Sequence, residues 1–249
     1  MYVLFSGEGP SDLGQCKLGL DRCEAENFQT GPMSWVVDQL IENFQGFEFS
    51  HIESGCVGYV SESYLAANKA APTQKARLPG KKKPPETQYY YENARALAIA
   101  AQRKSVEING DKVIAVLFRD SDGTASAGRG DWANKCHSII AGFAEENYEY
   151  GVAMMPKPKS EAWLLCAVKD NPYQHCHQLE NESGNDKSAN PLKEQLSETL
   201  QNNNSADHLN DKIRSHEIDV HRIDMPSFNA FKDNLKEVVR RALGLPLGD

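Results

Sequence analysis

The segment that most constrains the fold is the run at residues 112–118, KVIAVLF. It is rich in β-branched residues and continuously apolar after its first residue, which is typical of a central strand covered on both faces. The polar sequence RDSDG follows at residues 119–123 and ends the run in a turn. Because such a strand needs covering layers on both sides of its sheet, the run predicts an α/β domain.

Strand and helix patterns alternate along much of the chain. Short stretches at residues 2–6, 47–52 and 150–155 predict further strands. Helical periodicity predicts helices at residues 33–44, 86–106, 131–146 and 227–243, and one that Ser160 caps. The alternation predicts the α/β class, with a mostly parallel sheet flanked by helices and a C-terminal helical extension.

The chain of 249 residues suits one α/β domain with additions. We expect this domain at residues 1–169, with an insertion near 55–85, where small residues, Pro and Lys replace the regular pattern. Residues 170–205 are rich in Asn, Gln, Glu and Ser, which predicts a poorly ordered polar linker. Residues 206–249 predict a C-terminal helical segment.

The composition predicts a soluble cytoplasmic protein. Hydrophobic residues make up 40% of the chain, which is enough for a core. No apolar run approaches the roughly 20 residues that a membrane helix needs, so no membrane partner is expected. The N-terminus predicts a strand instead of a signal peptide. The six cysteines contain no CxxC pair, which favours free thiols in a reducing cytoplasm.

The net charge of −8 argues against a chain devoted wholly to binding phosphates. Electrostatic attraction depends on where the charge lies, however. Positive charge is concentrated at residues 75–83, where Lys81, Lys82 and Lys83 occur without an acidic neighbour. These three lysines predict contacts to nucleic-acid phosphates, and a solvated loop is the alternative interpretation.

Acidic residues follow three of the predicted strands. Glu8 and Asp12 follow the first, Asp120 and Asp122 follow the apolar run, and Glu161 lies just beyond the last. In a parallel sheet the carboxyl ends of the strands share one edge, where side chains from several strands converge. Carboxylate oxygens are the ligands that Mg²⁺ or Mn²⁺ prefers. The pattern therefore predicts a site for one or two ions, held by Glu8, Asp12, Asp120 and Asp122.

These motifs resemble the TOPRIM fold, which topoisomerases, primases and OLD-family nucleases share. Its pattern is a strand ending in Glu-Gly-x-x-Asp, here residues 8–12, and a later strand ending in Asp-x-Asp, here residues 120–122. Residues 157–165, KPKSEAWLL, resemble the nuclease branch and small standalone TOPRIM-like proteins of bacterial defence loci. The resemblance covers roughly residues 1–169.

The resemblance implies an Mg²⁺-dependent nuclease (a hydrolase of phosphodiester bonds) that acts on DNA more than on RNA. It also implies a role in antiviral defence and, in OLD-type systems, an ATPase partner chain. The catalytic residues would be Glu8, Asp120, Asp122, Glu161 and Lys159. Glu161 would act as a further ligand or general base, Lys159 would stabilise developing phosphate charge, and Lys157 would contact nucleic acid.

Two other interpretations stay open. The sequence DSDGT at residues 120–124 also resembles the nucleophile motif of haloacid-dehalogenase-like phosphatases, although it lies mid-chain and leaves Glu8 and Asp12 unexplained. A non-catalytic TOPRIM-like subunit of an ATPase complex would keep the fold without the reaction. Taken singly, Asp120 could also be part of an exposed turn. Glu161 could be an N-terminal helix residue that the helix dipole favours.

Overall fold

The structure, a computed structural model, describes residues 1–71, 85–121 and 132–246, apart from the side chains of residues 85 and 86. Four residues that the sequence assigned to the site lie outside the described residues: Lys81, Lys82, Lys83 and Asp122.

The strands are β1 (Tyr2–Gly7), β2 (Gly14–Cys16), β3 (Arg22–Glu24), β4 (Phe28–Thr30), β5 (Val57–Val60), β6 (Val113–Phe118) and β7 (Gly151–Met154). The α-helices are α1 (Pro32–Gln45), α2 (Glu62–Ala67), α3 (Pro85–Glu107), α4 (Trp132–Glu145), α5 (Ser160–Val168), α6 (Leu192–Thr199), α7 (Ala206–Arg214) and α8 (Pro226–Ala242). Within the described residues, five strands form one sheet in the order β3-β5-β1-β6-β7, and β2 pairs with β4 separately. All neighbours in the large sheet are parallel except the edge strand β3, so the predicted α/β class is confirmed.

The apolar run forms the central strand β6, as predicted. It lies between β1 and β7, and all six of its residues are buried. Ile114, Val116 and Phe118 face one core, which α1 and α8 cover. Ala115 and Leu117 face the opposite core, which α3 and α4 cover. This alternation is the period of two that a strand imposes, and it explains why no polar residue interrupts the run.

The strand predicted at residues 47–52 is wrong, because this segment contains no strand. The carboxylate of Asp38 in α1 accepts hydrogen bonds from the Ser50 hydroxyl and from the His51 backbone N–H, the latter at 2.8 Å. In a strand, the His51 backbone N–H would donate to an adjacent strand, but here the Asp38 side chain accepts its hydrogen bond. The strand that pairs with β1 on the side away from β6 is β5, which lies inside the predicted insertion at residues 55–85.

The chain after α5 is more ordered than its composition suggested. Residues 170–205, expected as a poorly ordered linker, contain the 3₁₀ helix Cys176–Asn181 and α6, which packs on α5. Helix α8 packs on β6 and β7, and Phe231 stacks on Trp163 of α5 with ring centroids 5.6 Å apart. The C-terminal helices therefore supply part of one covering layer of the sheet.

The prediction of free thiols is wrong for four of the six cysteines. Disulfides join Cys16 to Cys23 and Cys166 to Cys176, and the other two cysteines are free. The paired cysteines are 7 and 10 residues apart, so a short turn or helix returns each to its partner without a CxxC motif. The expectation of a cytoplasmic location loses its support from free thiols. In the described ranges, no helix has both the length and the apolar character needed to cross a bilayer.

Candidate functional site

The candidate site lies where the carboxyl ends of β1 and β6 meet. Gly7 pairs with Phe118 there, and a Cβ atom on Gly7 would lie 2.4 Å from the Phe118 carbonyl oxygen, so only glycine allows this approach. In the large sheet, the strands added after β1 lie on one side of this point, with β5 next to β1. The strand added after β6 lies on the other side, with β7 next to β6. Open α/β sheets bind ligands at such topological switch points. Glu8 and Asp120 follow these two strands almost immediately.

A tight turn brings Asp12 back to this edge. The backbone N–H of Asp12 donates to the Gly9 carbonyl at 2.9 Å. Gly9 has φ +80°, a left-handed conformation that glycine adopts readily, and a Cβ atom there would lie 2.5 Å from Oδ2 of Asp12. The glycine of the Glu-Gly-x-x-Asp motif is therefore needed for the turn and for the position of the Asp12 carboxylate.

Ser160 joins the two aspartate motifs. Its backbone N–H donates to Oδ1 of Asp120 at 3.0 Å, and its hydroxyl donates to Oδ1 of Asp12. The predicted capping role of Ser160 is wrong in detail, because Lys159 occupies the N-cap position and Ser160 is the first helical residue. The hydroxyl therefore reaches across the site to Asp12 instead of capping α5. Ser160 is fully buried, so water has little access to its two donor groups.

The acidic residues perturb one another. Burial among protein atoms, and then the charges of Asp12, Glu161 and Glu8, raise the pKa of the Asp120 carboxyl well above its ordinary value. The hydrogen bond from Ser160 acts in the opposite direction. Burial and then the charge of Asp12 also raise the pKa of Glu161. The structure thus brings four of the predicted acids into one electrostatic neighbourhood, at the sheet edge that the sequence predicted.

The oxygen donors of this neighbourhood fit Mg²⁺ or Mn²⁺ in their chemistry, and a cation would relieve their mutual repulsion. The positions of these oxygen atoms, however, do not form a complete metal site. Within the described ranges, no group of three or more His, Cys, Asp or Glu residues is arranged to hold a metal ion. Glu8 is instead paired with Arg119, and Asp122 is outside the described residues. A complete set of ligands would require Glu8 to turn towards Asp120, or Asp122 to contribute.

Arg119 was not identified from the sequence. Its side chain is 8% exposed, and Nη1 donates to Oε2 of Glu8 at 2.6 Å. Nη2 pairs with Glu62 and donates to the Tyr89 hydroxyl, and the guanidinium carbon lies 4.6 Å from the Tyr89 ring centroid. Although burial lowers the pKa of Arg119, Glu8 and Glu62 raise it overall, so the guanidinium stays charged.

Glu62 is a further acid at the same edge. It begins α2 directly after β5, and Ser61 caps this helix by accepting a hydrogen bond from the Tyr64 backbone N–H. Burial raises the pKa of Glu62, while Arg119 acts in the opposite direction. The apolar run of β5 followed by Ser-Glu is a strand-to-helix signal that could have placed this acid.

Two of the predicted lysines, Lys157 and Lys159, lie in or next to the connection from β7 to α5. Nζ of Lys159 is 2.7 Å from Oδ1 of Asp186, and its charge partly opposes the rise in the pKa of Glu161. Lys159 is therefore shared between an exposed acid and the site. Lys157 is half-buried in the connection from β7 to α5, close in sequence to Ser160.

A buried lysine on α4 was also missed. Lys135 is 1% exposed, and its Nζ donates to the Ser121 carbonyl at 2.6 Å and lies 5.7 Å from the Tyr90 ring centroid. It therefore supports the turn that carries Asp120. The signal in the sequence was a lysine on the same helical face as the buried Ile139, four residues along.

Comparison with protein-family models, with curated proteins and with solved structures finds no match to this chain. The resemblance to TOPRIM proteins therefore rests on the motifs at residues 8–12 and 120–122 and on the segment at 157–165. What the fold and the site define is an α/β protein with an acidic cluster at the topological switch point of its sheet.

Proposed function

We propose that this chain is an Mg²⁺-dependent nuclease that cleaves phosphodiester bonds at the acidic cluster. The observation that carries the proposal is that Ser160 binds both Asp12 and Asp120, with Glu161 and Glu8 close enough to raise the pKa of Asp120. Strongly perturbed carboxyl groups at a ligand-binding edge are typical of functional sites. The TOPRIM-like motifs give the same acids a role in nucleic-acid cleavage.

In this proposal Glu8, Asp12, Asp120 and Asp122 hold the cation. When bound, the cation would activate water and stabilise the leaving oxygen. Ser160 holds Asp12 and Asp120 in a fixed relation through its hydroxyl and its N–H. Because the pKa of Asp120 is raised, cation binding must compete with a proton there. Glu161 would act as a further ligand or a general base.

Positive charge for the substrate would come from the lysines around α5. Lys159 would stabilise the charge that develops on the phosphate, and Lys157 would contact the nucleic-acid backbone, with Lys81, Lys82 and Lys83 contributing further phosphate contacts. DNA as the preferred substrate, antiviral defence and an ATPase partner are supported by the motif resemblance alone. The net charge of −8 means that any attraction of nucleic acid must come from local charge.

The test is a cleavage assay with the full chain on single-stranded DNA, double-stranded DNA and RNA. Each substrate is tested with Mg²⁺, with Mn²⁺ and with EDTA, alongside a simple phosphomonoester. We expect cleavage that requires the metal and is lost in Asp120→Asn, while Asp211→Asn, at an exposed acid on α7, keeps it. Turnover of the phosphomonoester alone would replace the proposal with a phosphatase. Absence of hydrolysis from all four substrates would replace it with a binding subunit.

A further inference from the structure

We infer that Glu62 is a positioning residue that keeps Glu8 available to a divalent cation by sharing Arg119 with it. The inference rests on the proposed metal-dependent function and extends it to an acid outside the TOPRIM-like motifs. It starts from a conflict at the site, because Glu8 is assigned to the metal by its motif but is paired with Arg119 in the structure.

The geometry gives Arg119 two acidic partners from two different elements. Nη1 donates to Glu8 in the turn after β1, and Nη2 pairs with Glu62 at the start of α2. Tyr89 of α3 stacks against the guanidinium and accepts a hydrogen bond from Nη2, which fixes the orientation of the planar group. Arg119 is buried, so water screens its charge poorly.

The charges explain why a second acid is needed. Arg119 paired with Glu8 alone would neutralise that carboxylate and leave the pair with no net negative charge for a cation. With Glu62 on the other edge of the guanidinium, the three groups carry one negative charge in excess, from two carboxylates and one cation. Glu62 therefore offsets Arg119 and lets Glu8 keep negative charge for a cation near Asp120.

The test measures cation binding directly, by calorimetric titration of the full chain with Mn²⁺. We expect Glu62→Gln to weaken Mn²⁺ binding about three- to tenfold, because Arg119 would then be balanced by Glu8 alone and would reduce the negative charge that Glu8 offers the ion. Glu62→Asp should recover part of the affinity. The control is Glu92→Gln, which removes a carboxylate on α3 that pairs with Lys69 instead of Arg119 and should leave the affinity unchanged.

A double-variant comparison tests whether Glu62 acts through Arg119. In an Arg119→Gln background, Glu62→Gln should lose most of its effect on Mn²⁺ affinity, because its partner is gone. If that background does not fold in a thermal unfolding assay, Arg119→Met replaces it, because methionine also removes the positive charge, and the effect of Glu62→Gln should again be small.

The outcomes separate this inference from the proposed function. Absence of Mn²⁺ binding to the unchanged protein, or binding that Asp120→Asn leaves intact, would overturn the proposed metal site and the role of Glu62 with it. Binding that Asp120→Asn removes but Glu62→Gln leaves unchanged would overturn the role of Glu62 alone. An effect of Glu62→Gln that is equally large without Arg119 would also overturn it.

Discussion

The backbone N–H of Ser160 donates to Oδ1 of Asp120 at 3.0 Å, across a separation of 40 residues. The hydroxyl of the same serine donates to Asp12, 148 residues away. The first residue of α5 therefore connects the two acidic motifs at the sheet edge. Because the serine is fully buried, loss of either contact would remove a donor to a carboxylate that water could not readily replace.

Ser160→Ala should destabilise the protein by about 1–3 kcal/mol, since it removes the hydroxyl donor of Asp12 but keeps the N–H donor of Asp120. Urea unfolding measures the change in the free energy of unfolding. Ser11→Ala is the matched control, because Ser11 is exposed and donates to the same aspartate at 3.2 Å, and its effect should stay within about 0.5 kcal/mol. Equal effects from both variants would contradict the assigned role of Ser160.

The site should make stability depend on pH. The pKa of Asp120 is raised in the folded protein, so the folded state binds more protons than the unfolded state between the ordinary pKa and the raised one. The free energy of unfolding should therefore fall as pH rises from about 4, the ordinary Asp pKa, through the raised pKa. In EDTA, urea unfolding across this range should show a smaller fall for Asp120→Asn. Parallel curves for the two proteins would contradict the pKa shift.

Asp38→Ala should destabilise the protein by about 2–4 kcal/mol, because Asp38 is buried and accepts hydrogen bonds from Ser50, His51 and Ile52. The control is Glu42→Ala on the same helix, which removes one exposed contact to the Phe49 N–H and should cost less than about 1 kcal/mol. Thermal or urea unfolding gives both values. A loss no larger than that of the control would show that residues 50–52 do not depend on Asp38.

Burial, which hydrogen bonds only partly offset, raises the pKa of Asp38 to about 6. The folded state therefore binds a proton at Asp38 more tightly than the unfolded state does. The contribution of Asp38 to the free energy of unfolding falls as pH rises from about 4 to about 6. Asp38→Asn should remove this part of the pH dependence. Carboxyl chemical shifts followed by NMR would give the pKa, and an ordinary value would contradict the prediction.

The disulfides predict a specific thiol count. Of the six cysteines four are paired, so denatured protein without reductant should react with iodoacetamide at 6 − 4 = 2 positions, and at all six after reduction. Mass spectrometry measures the count. Replacing Cys166 and Cys176 together by Ala should cost about 2–3 kcal/mol of stability, the scale for a loop of this length. Cys56→Ala, at a free thiol, should cost less.

Local sequence patterns were sufficient for the long elements. The β-branched run of β6 and the helical periodicity of α1, α3 and α8 extend over whole elements, so the predicted positions agree with the observed ones within one or two residues. The strand at residues 47–52 failed because its pattern is short, and Asp38 supplied the acceptor that decided its conformation. The four-residue strand β5 was missed for the same reason.

The sequence by itself determined the class of fold, the central strand, and the placing of Glu8, Asp120 and Glu161 beyond strand ends. Only the tertiary structure decided that β1 lies between β5 and β6 and that Ser160 binds Asp12 and Asp120. It also decided that Arg119 forms an ion pair with Glu8. The physical reason is one of range. Periodicity reports the local backbone and the buried face, whereas strand order and ion pairs depend on residues that become neighbours only when the sheet and its helices pack.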